Sequence, residues 1–158
     1  MTVQEPDVKI SVYNHKELNF VELNITGTED TYMKCDPESR YLDCVVFNVF
    51  TDCFEKANQL YEYYDATKYN ARYIVVLRNY LQIHLTKLEQ IRTLEDFQDY
   101  ISGKLLGEKF LLALVKSDKN WTEHWTQYHK RLIIVSKEIL NLVDFVIDEG
   151  RILWVIGY

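Results

Sequence analysis

Apolar residues recur at spacings of three and four over most of this chain, and at spacings of two only near its two ends. The strongest helical pattern lies between Asn120 and Glu149. There Trp121, Trp125, Tyr128, Leu132, Val135, Ile139, Leu142, Val143 and Val146 fall on one helix face. Ile133, Ile134, Leu140, Phe145 and Ile147 widen that face, so this helix is expected at the centre of a domain, with neighbours on several sides. Ser117–Asn120 offers its start and Gly150 its end.

Val8, Ile10 and Val12 alternate with polar residues, as do Val21, Leu23 and Ile25. With Asn14–Glu17 as a turn, this predicts a β-hairpin. Gly27–Asp30 is a loop, and Thr31–Lys34 a further short extended piece. Asp36-Pro37-Glu38 carries the cap, preset φ and dipole complement of a helix start. A stripe from Leu42 to Tyr64 then predicts one helix to about Asp65. A second stripe, Tyr73 to Ile91, predicts another. Thr93–Asp96 resembles a capping box that opens a short helix bearing Leu94, Phe97 and Ile101, with Gly103 closing it in the left-handed conformation. Gly107 precedes a further apolar run, Phe110–Val115. Ile152, Leu153, Trp154, Val155 and Ile156 are apolar on both faces, the pattern of a buried strand. A lone strand must pair, so the two ends of the chain are expected to meet.

The predicted fold is α+β and predominantly α. It is a bundle of about four to five helices with a small antiparallel sheet, formed by an N-terminal hairpin and a C-terminal strand. Residues 1–158 are read as a single globular domain.

Composition narrows this only at the margins. With 47% hydrophobic residues, 5 Gly and 2 Pro, the chain is neither disordered nor a turn-rich β-sandwich. No apolar run approaches the roughly 20 residues of a membrane span. The first residues, MTVQEPDVK, lack the apolar core of a secretory signal, which predicts a cytoplasmic protein. Cys35, Cys44 and Cys53 are odd in number and show no CxxC or Cys/His spacing, so they read as reduced thiols and not as zinc ligands. His124 and His129 lie five apart, about 140° round a helix, too far to chelate one metal. No glycine-rich phosphate cradle and no G-x-S-x-G is present, so neither a metal nor a cofactor is expected.

Charge changes the picture more. The net charge is −6, and it is uneven. Residues 1–65 hold 13 acidic and 5 basic side chains, a balance of −8, and residues 66–158 hold 11 and 13, a balance of +2. This argues against strong nucleic-acid binding. It also makes the N-terminal half a candidate acidic docking surface, with Glu29, Asp30 and Glu38 at its centre. Trp121, Trp125 and Tyr128 are a candidate aromatic anchor on a partner, or a wedge that closes the bundle.

One stretch points to catalysis. Arg78-Asn79-Tyr80-Leu81-Gln82-Ile83-His84 resembles the Arg-x(4–6)-His motif of the HEPN ribonucleases, which are helical bundles. The resemblance implies His84 as general acid or base and Arg78 as the group that stabilises phosphorane charge, without a metal. His titrates near neutrality and Arg stays charged, which suits RNA cleavage. His84 also falls on the apolar stripe between Leu81 and Leu88, where a core histidine is the ordinary finding.

The expected function is a non-enzymatic module that binds another, basic, protein through its acidic half. Immunity proteins, antitoxins and inhibitors are of this general type. The alternatives are the HEPN-like ribonuclease and a structural subunit of a larger assembly.

Overall fold

A computed structural model of the chain describes residues 10–15 and 19–158. The fold is α+β and mostly helical. Its four-stranded antiparallel sheet has the order β2-β1-β4-β3. The strands are β1 (Phe20–Asn24), β2 (Arg40–Asp43), β3 (Ala66–Tyr69) and β4 (Leu153–Gly157). Six α-helices lie among the described residues: α1 (Cys44–Phe47), α2 (Thr51–Ala57), α3 (Ile74–Gln90), α4 (Leu94–Ser102), α5 (Gly107–Ser117) and α6 (Trp125–Asp148).

The long helices form where the three-to-four spacing predicts them. α3 buries Ile74, Leu77, Leu81, His84, Leu85 and Leu88. α6 buries Tyr128, Leu132, Val135, Ile139, Val143 and Val146 against it. The pair is antiparallel. Arg78 meets Asp144 at 2.7 Å near one end, and the His129 ring reaches the Leu88 carbonyl at 2.6 Å near the other. Thr93 caps α4 as expected, its hydroxyl accepting from the Asp96 N–H at 3.1 Å. Gly103 does not adopt the left-handed conformation, since its φ is −73°. Gly150 does, at +62°, and it ends the last turn after α6. The start of α6 differs slightly from expectation: Trp121–Glu123 form a separate 3₁₀ turn, and the α-helix proper begins at Trp125.

The chain ends do meet: β1 pairs with β4, Asn24 opposite Trp154. The sheet nevertheless has a fourth strand, and its hairpin partner is different. Val8 and Lys9 of the expected first strand, Lys16 and Glu17 of the expected turn and Leu18, the first residue of the expected second strand, lie outside the described residues. Ile10–Val12 form no strand. Tyr13 makes an isolated bridge to Tyr41, with N–H to O distances of 3.0 and 2.8 Å. The partner of β1 is instead β2, inside what the spacing predicts as the first helix.

That predicted helix is broken into a turn, a strand, two short helices and a loop. Asp36 does cap, its carboxylate accepting from the Glu38 N–H at 2.8 Å, but only one turn forms before the chain extends into β2. Asp43 then caps α1. α2 stops at Asn58, whose side chain accepts from the Leu60 N–H at 3.0 Å and donates to the Lys68 carbonyl at 3.0 Å. An amide that offers the backbone such local bonds competes with the helix. Residues 58–65 loop over to β3, leaving Leu60 and Tyr64 exposed despite their place in the apolar stripe. Arg40–Asp43 and Ala66–Tyr69 are short and fit a strand as well as a helix, and pairing with β1 and β4 decides them.

Directly opposed residues point to the same side of an antiparallel sheet. One side carries Val21, Leu23, Leu42, Leu153 and Val155, all part of the core shared with the helices. The other side carries Glu22, Asn24, Tyr41, Trp154, Ile156 and Lys68. The polar ties on that side come from residues 25–39, the connection between β1 and β2, and from Tyr158 just past β4.

Candidate docking surface

Glu22 is the residue on which that connection is hung. It lies on β1, paired with Tyr41 and Ile156, and is 0% exposed. Its carboxylate accepts from the Cys35 N–H at 2.9 Å, the Ser39 hydroxyl at 2.6 Å and the Tyr158 hydroxyl at 2.7 Å. A longer approach from the Asn24 amide, at 3.5 Å, completes the set. Three good donors satisfy a carboxylate that would otherwise be costly to bury. Burial and the carboxylate also draw the nearby phenols upward in pKa. Burial first, then the Glu22 charge, lifts Tyr41 to about 12. Burial and the bond to Glu22 raise Tyr158 further.

The rest of the connection is tied down at other points. Asn24 donates to the Met33 carbonyl at 2.9 Å and accepts from the N–H groups of Thr26 and Gly27 at 3.1 and 3.0 Å. The Trp154 indole donates to the Thr28 carbonyl at 2.9 Å, and its ring packs on Tyr32 with centroids 4.9 Å apart. Gly27 permits this approach, because a Cβ there would come within 2.4 Å of the indole. Lys68 on β3 reaches the Glu29 carboxylate at 2.9 Å and its carbonyl at 2.8 Å.

The acidic residues singled out from the sequence therefore sit on a segment anchored along its length. Glu29, Asp30 and Glu38 are all exposed on it, together with Met33. Glu29 is partly answered by Lys68 and Asn70, whose hydrogen bonds hold its carboxyl below the usual range. Asp30 and Glu38 form no ion pair among the described residues.

The aromatic set lies elsewhere. Trp121 and Tyr128 are buried, and Trp125 is half-buried. Trp121 and Trp125 pack on the Phe97 ring, with centroids 6.4 and 5.8 Å away, and Trp125 also packs on His129. The Tyr128 hydroxyl donates to Asp118 at 2.7 Å, which also meets His124 at 2.8 Å. These three residues close the lower end of the bundle. α6 has 24 residues and so spans about 36 Å. Trp125 stands at its start and the sheet follows its end, so the aromatic and acidic sets do not form one patch.

Arg78 and His84 are also apart in orientation. Six residues separate them, about 240° of helical turn. Arg78 is engaged with Asp144. His84 is 2% exposed, edge-on to Phe50 and hydrogen-bonded to the Tyr100 hydroxyl. Burial, then Lys104 and Lys87, drives its pKa down to about 3. A ring held neutral and away from solvent is in neither the place nor the protonation range of a general acid for RNA. No group of three or more His, Cys, Asp or Glu able to hold a metal occurs among the described residues. No described helix is long and apolar enough to cross a membrane.

Sequence reasoning treats Glu22 as one polar position of a half-exposed strand. Nothing in its neighbours marks it as buried, because the residues that cover it lie 13 to 136 positions away. Comparison with protein families, with curated proteins and with solved structures finds no match to the chain.

Proposed function

We propose that the chain is a non-enzymatic, protein-binding module whose acidic connection between β1 and β2 docks a basic surface of another protein. Immunity proteins, antitoxins and inhibitors work in this way, and the proposal places the chain in that general class. The observation that carries it is the clamp. A stretch with three exposed carboxylates is fixed to the sheet through Glu22, Asn24, Trp154 and Lys68. A segment already held in place loses little entropy on binding. Its charge steers a basic partner and selects against acidic ones.

The test is capture of the partner by the purified chain at low and high salt, with the bound species identified. A single stoichiometric protein is expected, released by salt. Glu29→Lys/Asp30→Lys should weaken its capture by about tenfold or more, the equivalent of 1.4 kcal/mol or more, while leaving the thermal midpoint within a few degrees. Undiminished capture by that variant would refute docking through this segment.

A further inference from the structure

An open groove of about 940 Å³ lies between the C-terminal half of α6 and the β2 edge of the sheet. Val12, Ile25, Leu142 and Phe145 give it apolar walls, and Phe145 remains 40% exposed. Glu38 and Glu138 also line it, both exposed. Neither forms an ion pair among the described residues. Arg40 is a lining cation, but its guanidinium donates to the Glu38 and Ser39 carbonyls, at 3.0 and 3.2 Å. The groove is therefore apolar within, and its charged lining is two carboxylates without an ion pair and one guanidinium held on backbone carbonyls, a net charge of −1.

The same chain carries a surface of the complementary kind. α5 buries Phe110 and Leu114 and turns Leu112 and Val115 outward, 59% and 49% exposed. Lys109, Leu112 and Lys116, at i, i+3 and i+7, share that outer face, and Glu108, four before Leu112 and seven before Val115, lies on it too, for a net charge of +1. Both lysines are exposed and unpaired among the described residues. An amphipathic helix normally turns its apolar residues inward, so an apolar stripe on the outer side asks for a cover.

We propose that a second copy of the chain seats the outer face of α5 in this groove. Lys109 and Lys116 meet Glu38 and Glu138, while Leu112 and Val115 cover Leu142 and Phe145. The two surfaces differ, so the contact is head-to-tail and every copy keeps one groove and one helix free. Association then grows into open chains or closes into a ring. One helix face buries less than the roughly 1,600 Å² of a standard interface, which sets the strength in the micromolar to millimolar range. The proposal stands apart from docking through Glu29 and Asp30 and shares only Glu38 with it.

The experiment is sedimentation equilibrium of the whole chain from about 10 μM to about 1 mM. The weight-average mass should climb with concentration and not stop at a dimer unless a ring closes. Glu38→Lys/Glu138→Lys, with a dead groove, and Leu112→Asn/Val115→Asn, with a dead helix, should each weaken association about tenfold or more. The first pair lowers the net negative charge, so general repulsion falls and any loss of association is specific to the contact. Mixed in equal amounts, the two variants should form a capped heterodimer, because one live helix meets one live groove. Glu29→Lys/Asp30→Lys changes the net charge by the same amount as the groove pair and alters neither lining nor helix face, so it should not weaken association. Circular dichroism checks that each variant is folded. A parent mass that stays constant with concentration, variants that associate undiminished, or a mixture that forms no heterodimer would each overturn the proposal. So would a symmetric dimer that neither variant weakens.

Discussion

His84 shows how much one ring in the interior constrains a reading made from residue types. Arg and His at a short spacing suit phosphoryl chemistry, and the sequence offers both. What the sequence also offers, the place of His84 on the apolar stripe, proves the better guide to its surroundings. The ring lies between Phe50 and Tyr100, with a pKa near 3 against an ordinary value of 6.5. The folded pKa is depressed, so the folded state declines a proton that the unfolded chain takes. Stability from this group is complete above about pH 6.5 and falls as pH drops from there towards 3. Between pH 7 and pH 5 the loss should be about 2 kcal/mol. Urea unfolding at both values should show it, and a folded His84→Leu variant should lose distinctly less over the same interval. Equal losses in the two proteins would mean that the ring is not held neutral. Trp121 and Tyr128 teach the same lesson from the other side. Their spacing marks them as members of an apolar face, and that face is buried.

At the scale of elements, legibility follows length. α3 and α6 repeat the helical period often enough to be read without context, and β4 is legible from a short β-branched run apolar on both faces. β2 and β3 are four residues each, too short for either period to declare itself. Their identity is set by hydrogen bonds to strands far away in sequence. The same is true of the connection between β1 and β2. Its loop character at Gly27–Asp30 is legible, but its attachment is not, because the attachment runs through Glu22. Glu22→Gln keeps the size of the side chain and removes the charge from three of its hydrogen bonds. It should cost about 1–3 kcal/mol of stability. It should also loosen the connection locally, so that trypsin cuts after Lys34 faster than in the parent chain at a temperature where both are folded. An unchanged cleavage rate would show that Glu22 does not hold the segment.

For the molecule as a whole, the charge imbalance was plain in the sequence: −8 over residues 1–65 and +2 over the remainder. What could not be read was its distribution in space. Glu22 is interior, Glu29 is answered by Lys68, and Asp30 and Glu38 stand free. Net charge therefore overstates the acidic surface, and the anchored segment displays one part of it in a fixed form. Likewise, the meeting of the two chain ends was foreseeable from the need of a lone strand for a partner, whereas the order β2-β1-β4-β3 was not.

That order has a consequence in time. β4 lies between β1 and β3, and its neighbours are Asn24 on one side and Lys68 on the other, both opposite Trp154. Three of the four strands can be present and the sheet still be in two separate parts. Helices close locally and fast, while the closure that joins these parts must first gather distant segments, which slows it. On refolding from denaturant, helical ellipticity should therefore return ahead of the Trp154 fluorescence change, which waits for Tyr32 and Thr28 to reach the indole. The slow optical phase should vanish in Trp154→Phe, and identical time courses for both signals in the parent chain would show that helices and sheet assemble together. Until β4 is inserted, the acidic segment hangs from Glu22 and Asn24 of β1 alone, without Trp154 and Tyr158, so the fastest-forming part of this protein is not the part that gives its surface a final shape.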